Sequence, residues 1–209
     1  MIPEEEFFKA MSSFNELEKR GSFYDIAVNL LNNYFEIEAY LMILATWNFA
    51  NFRYAVMDFD ISAFKEKIKE LHPHFDKMKN ENFRTINFYE YEENIKKIFV
   101  TLSKIKGIGY TGASKIMHLK NRNVFLLWDS YIRGSYPKKY YNELEIVKKG
   151  LWTFKNYGTA PESYIQFLKD TQELFKHINF QDNRKTFAKA IDEFYYVNIT
   201  LPIKKKMKK

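Results

Sequence analysis

The chain has 209 residues, of which 46% are hydrophobic and 28% are charged, a composition typical of a globular protein with one core or two small lobes. It has no cysteine, which excludes disulfides, thiolate metal sites, iron–sulfur clusters and a cysteine nucleophile. Its formal net charge of +7 favours a polyanionic partner.

The charge at the start of the chain and the length of its apolar stretches bear on the protein's location. Its first residues, MIPEEEFF, are acidic where a signal peptide is basic. The longest strongly apolar stretch, 39–50, is far shorter than the ~20 residues that a membrane-spanning helix needs. We therefore expect an intracellular protein, located in the cytoplasm, the nucleoid or the nucleus, that does not contact a membrane.

Apolar residues recur at three- and four-residue steps through most of the chain, which predicts an all-α fold. Asp60 or Ser62 is a suitable N-cap for one helix, and another helix is expected to open at Pro161 or Glu162. A helix break is expected at His72 and Pro73. The periodic segments are 23–34, 64–71, 95–102, 164–175 and 187–194.

Aromatic and polar side chains are mixed directly after the apolar helix that ends near residue 46. Rings that can stack on bases stand beside amide and guanidinium groups, a combination that fits a helix end facing nucleic acid. A junction between two packed helices explains the same pattern. The cluster comprises Trp47, Asn48, Phe49, Asn51, Phe52, Arg53 and Tyr54.

Positive charge is concentrated in one sector of the chain. Residues 1–100 carry a net charge of −5 and residues 141–203 are neutral, whereas residues 101–140 carry +7 and residues 204–209 add five lysines. The sector 101–140 predicts a surface that docks nucleic acid. A solvated helix face accounts for the same charges equally well.

Within this sector, two glycines lie between two predicted helices. An amphipathic helix ends near Ser103, residues 106–109 form a tight turn that we call the hairpin, and a second helix covers about 110–119. Glycines allow positive φ and a close backbone approach, and the first amides of a helix favour an anion. Flanking lysines favour phosphate. The alternative is a glycine that merely ends the first helix.

An aspartate follows the hairpin at a defined distance. The apolar run 124–128 leads to Asp129, which is expected to open a helix at 130–133 and which follows Thr111 by 18 residues. An aspartate in this position can simply act as an N-cap, which contributes about 1 kcal/mol.

The hairpin, the helix after it and an aspartate at this spacing resemble the helix-hairpin-helix DNA glycosylase superfamily, which includes endonuclease III and the adenine glycosylase that acts opposite oxidised guanine. The resemblance covers about residues 95–133. It implies that Asp129 stabilises an oxocarbenium-like transition state and activates water after the target base has been flipped. The function it implies is base-excision repair of a damaged or mispaired base.

The resemblance also implies an endonuclease III-like arrangement of two helical lobes with double-stranded DNA in the cleft between them. Residues 40–134 would form a helical barrel lobe that contains the helix-hairpin-helix motif at about 98–119. Residues 1–39 and 135–203 would form the second lobe, and residues 204–209 a basic tail. We expect the protein to be a monomer.

Two departures from the superfamily define the expected chemistry. Bifunctional members carry a lysine where this chain has Thr111, so the resemblance implies a monofunctional enzyme that forms no Schiff base. Lys115, one helical turn later, could supply the amine, although a phosphate contact explains it more simply. Without cysteine, the iron–sulfur cluster of some members is absent.

The resemblance nominates residues for DNA binding and for the base pocket. It implies no metal and no organic cofactor, while a monovalent cation at the hairpin is compatible with it. The alternative function is a non-catalytic helix-hairpin-helix DNA-binding protein in which Asp129 only caps a helix. The implied DNA-binding residues are Lys104, Lys106, Gly107, Gly109, Thr111, Lys115 and Arg133, and the pocket or wedge residues are Trp47, Asn48, Phe49, Trp128 and Tyr131.

Overall fold

A computed structural model describes residues 1–208, and within this range the protein consists of helices and turns without a β-strand. The predicted all-α fold is therefore confirmed. A 3₁₀ turn at Val56–Asp58 and a π-helical turn at Tyr196–Thr200 accompany the α-helices. None of the described helices combines the length and the apolar composition that crossing a membrane requires. The α-helices are α1 (Glu4–Leu17), α2 (Gly21–Asn32), α3 (Glu36–Trp47), α4 (Phe49–Phe52), α5 (Ile61–Asp76), α6 (Glu92–Ser103), α7 (Gly109–Lys120), α8 (Lys138–Asn142), α9 (Glu145–Lys148), α10 (Pro161–Phe175), α11 (Phe187–Tyr195) and α12 (Leu201–Met207).

The helices group into two compact units. Residues 20–127 form one, which we call the middle unit, and residues 1–19 together with the chain from Trp128 onward form the other, the terminal unit. The boundaries between the units lie at 19/20 and 127/128, whereas the sequence led us to expect 39/40 and 134/135. Helix α2 packs against α3 and α7, which places residues 20–39 in the middle unit. Trp128 packs among rings of α10, which places it in the terminal unit.

In the middle unit, α3 packs on α7, and α6 packs on both α5 and α7. Helix α5 begins as expected, because the carboxylate of Asp60 accepts a hydrogen bond from the Ala63 N–H at 2.9 Å. The break expected at His72 and Pro73 is wrong, since α5 continues through Pro73 to Asp76. A proline inside a helix costs about 3 kcal/mol, but α5 buries apolar side chains on both sides of it, each contributing about 1.5–3 kcal/mol. Those side chains are Phe64, Ile68, Leu71 and Phe75.

In the terminal unit, α1 packs on α11 and on the π-helical turn. Its core is rich in aromatic rings: the Phe7 ring lies 5.6 Å from the Phe175 ring and 5.9 Å from the Phe194 ring, measured between centroids. Helix α10 opens at Pro161, one of the two expected positions. Proline suits this position because the first helical N–H has no partner within the helix.

The basic segment at the C-terminus is helical as far as it is described. Residues 201–207 form α12, which packs against the π-helical turn and α8 and buries Ile203. Lys206 donates a hydrogen bond to Glu143 at 2.7 Å. The expectation of a separate tail at 204–209 is therefore corrected for residues 204–207, and Lys209 lies outside the described residues.

Candidate functional site

The hairpin connects α6 to α7 as a tight turn. Helix α6 ends at Ser103, as expected, and α7 begins at Gly109. The Ile108 N–H donates to the Ile105 carbonyl oxygen at 3.1 Å, and Gly107 and Gly109 have φ values of 84° and 59°. Both glycines thus lie in the left-handed region, which other residues occupy at a cost of about 1–2 kcal/mol.

The buried side chain of Asn48 fastens the hairpin to the end of α3. Its Nδ2 donates to the carbonyl oxygens of Gly107 and Ile108 at 3.2 and 3.0 Å, and the residue is only 4% exposed. The predicted role of Asn48 as a wedge is therefore corrected, because its amide is used inside the protein.

Lys115 is also used inside the protein, where it contacts the end of α3. It is 6% exposed, and its Nζ donates to the carbonyl oxygen of Trp47, the last residue of α3. The positive charge of an ammonium group at this position interacts favourably with the partial negative charge at the C-terminal end of a helix. The predicted phosphate contact of Lys115 is thus corrected. Trp47, nominated for the base pocket, is half-buried, and its ring stacks on the Tyr24 ring at 5.5 Å.

A fully buried histidine, His118, completes this contact network, and sequence reasoning did not single it out. Its Nδ1 lies 2.6 Å from the carbonyl oxygen of Phe125 and its Nε2 lies 2.8 Å from the Tyr24 hydroxyl. Because a carbonyl only accepts, Nδ1 carries a proton, and in the neutral ring Nε2 accepts from Tyr24. The only signal in the sequence is a histidine among small and apolar residues of α7.

The Tyr24→Phe variant is expected to lower the free energy of unfolding by about 1–3 kcal/mol, because a buried imidazole nitrogen loses its hydrogen-bond donor while the ring packing is retained. Urea unfolding measures the change. The matched control is Tyr89→Phe, on an exposed tyrosine, which is expected to change stability by less than about 0.5 kcal/mol. Equal stabilities of Tyr24→Phe and the wild type would show that the hydrogen bond contributes nothing.

The positive charge at the hairpin comes from two exposed lysines. Lys104 directly follows α6, and Lys106 forms an exposed ion pair with Asp58 at 3.1 Å. Thr111 is half-buried in the first turn of α7, where its carbonyl oxygen accepts a hydrogen bond from the Ser114 hydroxyl at 2.9 Å. Of the residues nominated for DNA binding, Lys104 and Lys106 thus present charge to solvent.

Asp129 caps a turn, and the helix expected at 130–133 is not formed. One carboxylate oxygen, Oδ1, accepts from the N–H groups of Tyr131 and Ile132, both at 2.8 Å. The other, Oδ2, accepts from the Thr200 hydroxyl at 2.9 Å. The chain leaves the helical path at Gly134, which has a φ of 80°, and the carbonyl oxygen of Arg133 accepts from the N–H of Tyr157 at 3.1 Å.

The carboxylate of Asp129 is half-buried in the terminal unit. Two stacked phenol rings lie close to it in the chain. Tyr131 stacks on Tyr136 with 4.6 Å between centroids, and the Lys204 ammonium lies 5.4 Å from the Tyr131 centroid. Burial, and then Tyr136 and Asp129, raise the pKa of Tyr131 well above its ordinary value. Burial is likewise the main cause that raises the pKa of Tyr141 to about 12. Both phenols therefore keep their protons at neutral pH.

Trp128 and Arg133 are buried, which corrects the prediction that they line a base pocket and bind DNA. Trp128 is fully enclosed, with Tyr164 at 5.3 Å and Phe167 at 6.0 Å between ring centroids. Arg133 is 9% exposed, its guanidinium lies 5.4 Å from the Trp128 ring, and its Nε donates to Ser135 at 3.0 Å. Of the aromatic residues nominated for the base pocket, Phe49 is exposed, and Trp47 and Tyr131 are half-buried.

The basic sector 101–140 is divided between the two units at Leu127 and Trp128. Several of its cations have partners inside the protein. In the middle unit Lys120 donates to Glu36 at 2.5 Å, and His72 contacts the second oxygen of Glu36 at 2.9 Å. Burial alone would raise the pKa of Glu36, but the bond and charge of Lys120 outweigh it and lower the pKa. The sector's net charge therefore overstates the charge available to a partner.

A buried ionic cluster on α11 and the segment before it was also missed in the sequence. Lys189 Nζ lies 2.9 Å from Asp192 Oδ2 and 3.3 Å from Glu193 Oε1, and Lys185 lies 2.8 Å from the second oxygen of Glu193. Burial raises the pKa of Asp192 and outweighs the charge and hydrogen bond of Lys189, which lower it, while the charges of Glu193 and Asp129 raise it further. The spacing of these charges within one helix is visible in the sequence, but their burial is not.

Among residues 1–208, no group of three or more histidine, aspartate or glutamate side chains is arranged to hold a metal ion. No protein-family model, curated protein or solved structure matches the chain.

Proposed function

We propose that the protein is a monofunctional DNA glycosylase that hydrolyses the N-glycosidic bond of a damaged or mispaired base, with Asp129 as its catalytic carboxylate. One observation carries the proposal. A glycine hairpin between two helices is followed, 18 residues after Thr111, by a half-buried carboxylate whose orientation three hydrogen-bond donors define.

The contacts of Asp129 suit the chemistry of glycosidic cleavage. The transition state resembles an oxocarbenium ion, which a nearby carboxylate stabilises, and the same carboxylate can orient and activate water. A carboxylate has about four acceptor sites, and Asp129 uses two on Oδ1 and one on Oδ2. The proposal assigns the remaining acceptor capacity of Oδ2 to the attacking water.

The hairpin region supplies features that suit a DNA backbone. The first amides of α7 have no partner within the helix, which makes a helix N-terminus favourable for phosphate. Exposed Lys104 and Lys106 add positive charge there. Lyase chemistry is disfavoured because position 111 is a threonine and because the Lys115 amine is buried against the Trp47 carbonyl.

The second candidate is a DNA-binding protein without catalytic activity. It is favoured by one specific contact, the capping of the turn by Asp129 Oδ1, which explains this aspartate without any reaction. The two candidates predict different outcomes when the charge of Asp129 is removed and its shape is kept.

Asp129→Asn is expected to lower base excision by about 10²–10⁴-fold while duplex affinity stays unchanged or rises. The asparagine oxygen still accepts from the two backbone amides and its NH₂ can donate to the Thr200 hydroxyl, so the turn is retained and only the charge is lost. Excision is measured on a panel of lesion-containing and mismatched duplexes, with hot alkali to reveal abasic sites. Circular dichroism verifies the fold.

The matched control is Asp60→Asn, the same change at the aspartate that caps α5, which is expected to leave excision unchanged. Asparagine and aspartate are equivalent N-caps, so both variants should fold. Wild-type excision rates in Asp129→Asn, or binding by the wild type without excision on every duplex, would favour the non-catalytic candidate.

A further inference from the structure

We propose that the middle unit binds single-stranded nucleic acid on a surface that stacks unpaired bases. This surface, which we call the stacking surface, consists of Phe49, Arg53, Tyr54, Lys104 and Lys106. The proposal goes beyond the glycosylase activity because it does not involve Asp129 and requires no base to be excised.

Two exposed rings and a guanidinium form the centre of the stacking surface. Phe49 is 55% exposed and Tyr54 is 71% exposed. The guanidinium carbon of Arg53 lies 5.7 Å from the Phe49 centroid and 4.5 Å from the Tyr54 centroid. Arg53 also donates to the Tyr54 hydroxyl at 2.5 Å. The cation–π contacts restrict the rotation of these side chains, so less entropy is lost when a base stacks on them.

The same segment exposes further apolar area. Val56 and Met57 lie in the 3₁₀ turn after Tyr54, and both are mostly exposed. A folded protein seldom leaves so many large apolar side chains of one short segment in contact with water unless they serve an interaction. The segment 49–57 therefore has the character of a binding surface rather than of ordinary solvated chain.

The segment packs directly against the hairpin, which places Lys106 on the same surface, and the exposed Lys104 lies two residues earlier in the chain. A Cβ atom at Gly107 would lie 2.4 Å from the Ala55 Cβ, which shows how closely the two backbones approach. Lys106 reaches Asp58, immediately after this segment, at 3.1 Å. The surface carries three cations, Arg53, Lys104 and Lys106. The adjacent carboxylate, that of Asp58, is paired with Lys106. This surface is therefore both aromatic and positively charged.

The combination favours single-stranded nucleic acid over other partners. Bases in a duplex stack on each other, whereas unpaired bases offer both faces to aromatic rings and their phosphates attract lysine and arginine. An acidic peptide would use the cations but not the stacked rings. The occupant that uses every feature is an extended single strand.

The test measures fluorescence anisotropy of a labelled oligo-dT of about 20 nucleotides with the full chain over a range of salt concentrations. Phe49→Ala and Tyr54→Ala are each expected to weaken binding by about tenfold or more, because one stacking contact is lost. The slope of log K against log salt should stay unchanged in both variants. The double variant Lys104→Gln, Lys106→Gln should instead reduce the size of that slope by about 1.4, since each lost phosphate contact on a single strand contributes about 0.7.

The controls separate this proposal from general attraction to anions. Tyr89→Ala, which removes a different exposed tyrosine, should bind like the wild type. Inorganic polyphosphate offers charge without bases, and its binding should be insensitive to Phe49→Ala and Tyr54→Ala. The proposal is overturned if oligo-dT does not bind, if the ring variants bind it like the wild type, or if an acidic peptide binds with the same dependence on Phe49 and Tyr54.

Discussion

The Lys189→Met variant is expected to lower the free energy of unfolding by about 3–5 kcal/mol. Lys189 is almost fully buried between the carboxylates of Asp192 and Glu193, and its ammonium also lies 4.3 Å from the Phe14 ring of α1. Removing the cation leaves two buried acidic side chains without the positive charge that lies between them. It also removes a contact between α11 and α1.

The stabilisation by Lys189 depends on pH in a definite direction. Burial by itself lowers the pKa of Lys189, but the carboxylates of Asp192 and Glu193 outweigh it and raise the pKa above its ordinary value of 10.5. The folded protein therefore binds this proton more tightly than the unfolded chain does. The contribution is complete below the pKa of the unfolded chain and is lost as the pH rises through the folded-state pKa. The difference between wild type and variant should shrink accordingly in alkaline solution.

Urea unfolding at pH 7 and at alkaline pH measures both effects. The matched control is Lys185→Met, which removes a more exposed lysine that contacts the same Glu193 and is expected to cost at most about 1 kcal/mol. A Lys189→Met variant as stable as Lys185→Met would show that the buried cluster tolerates the loss of its central cation and that the assigned role is wrong.

Gly107→Ala is expected to destabilise the protein by about 2–4 kcal/mol. Two effects add at this position. The φ of 84° is unfavourable for alanine, and the new Cβ atom would lie 2.4 Å from the Ala55 Cβ, so the hairpin must move away from the segment that packs on it. Such a movement would also strain the hydrogen bonds from Asn48 to the hairpin carbonyls.

The companion variants at Gly109 separate these two effects. A Cβ atom there would meet its nearest neighbour, Asn51 Nδ2, at 3.8 Å, so Gly109→Ala has only the conformational cost of about 1–2 kcal/mol. Gly109→Asn should cost less, because asparagine tolerates the left-handed region. Urea unfolding of the three variants provides the comparison. If Gly107→Ala and Gly109→Ala prove equally stable, the close approach of Ala55 does not constrain the hairpin.

Helix positions and the hairpin could be predicted because the interactions that set them are local. Periodic apolar residues located α5, α6 and α10, the Asp60 side chain caps the turn that follows it, and Pro161 has the φ that a helix start requires. The two hairpin glycines were likewise recognisable, since glycine is the residue that most readily takes the positive φ found at Gly107 and Gly109.

The candidate site was less predictable because burial is not a local property. Lys115 and Arg133 read as surface cations, yet Lys115 reaches the carbonyl of Trp47, 68 residues earlier in the chain, and the backbone of Arg133 pairs with the distant Tyr157. His118 depends on Tyr24, which is 94 residues away. The residues next to a side chain in the sequence do not predict partners that are so distant in the chain.

By itself, then, the sequence determined that this protein is helical, where α5 and α10 begin, where α6 ends, and that a glycine turn joins two helices. Hydrogen bonds and side-chain contacts within a few residues are sufficient for those features. Only the tertiary structure decided that α5 continues through Pro73, that Asp129 caps a turn instead of a helix, and which cations are buried. These outcomes depend on free energies of burial and pairing that arise when distant segments pack together, and such energies can exceed the local preferences of the chain.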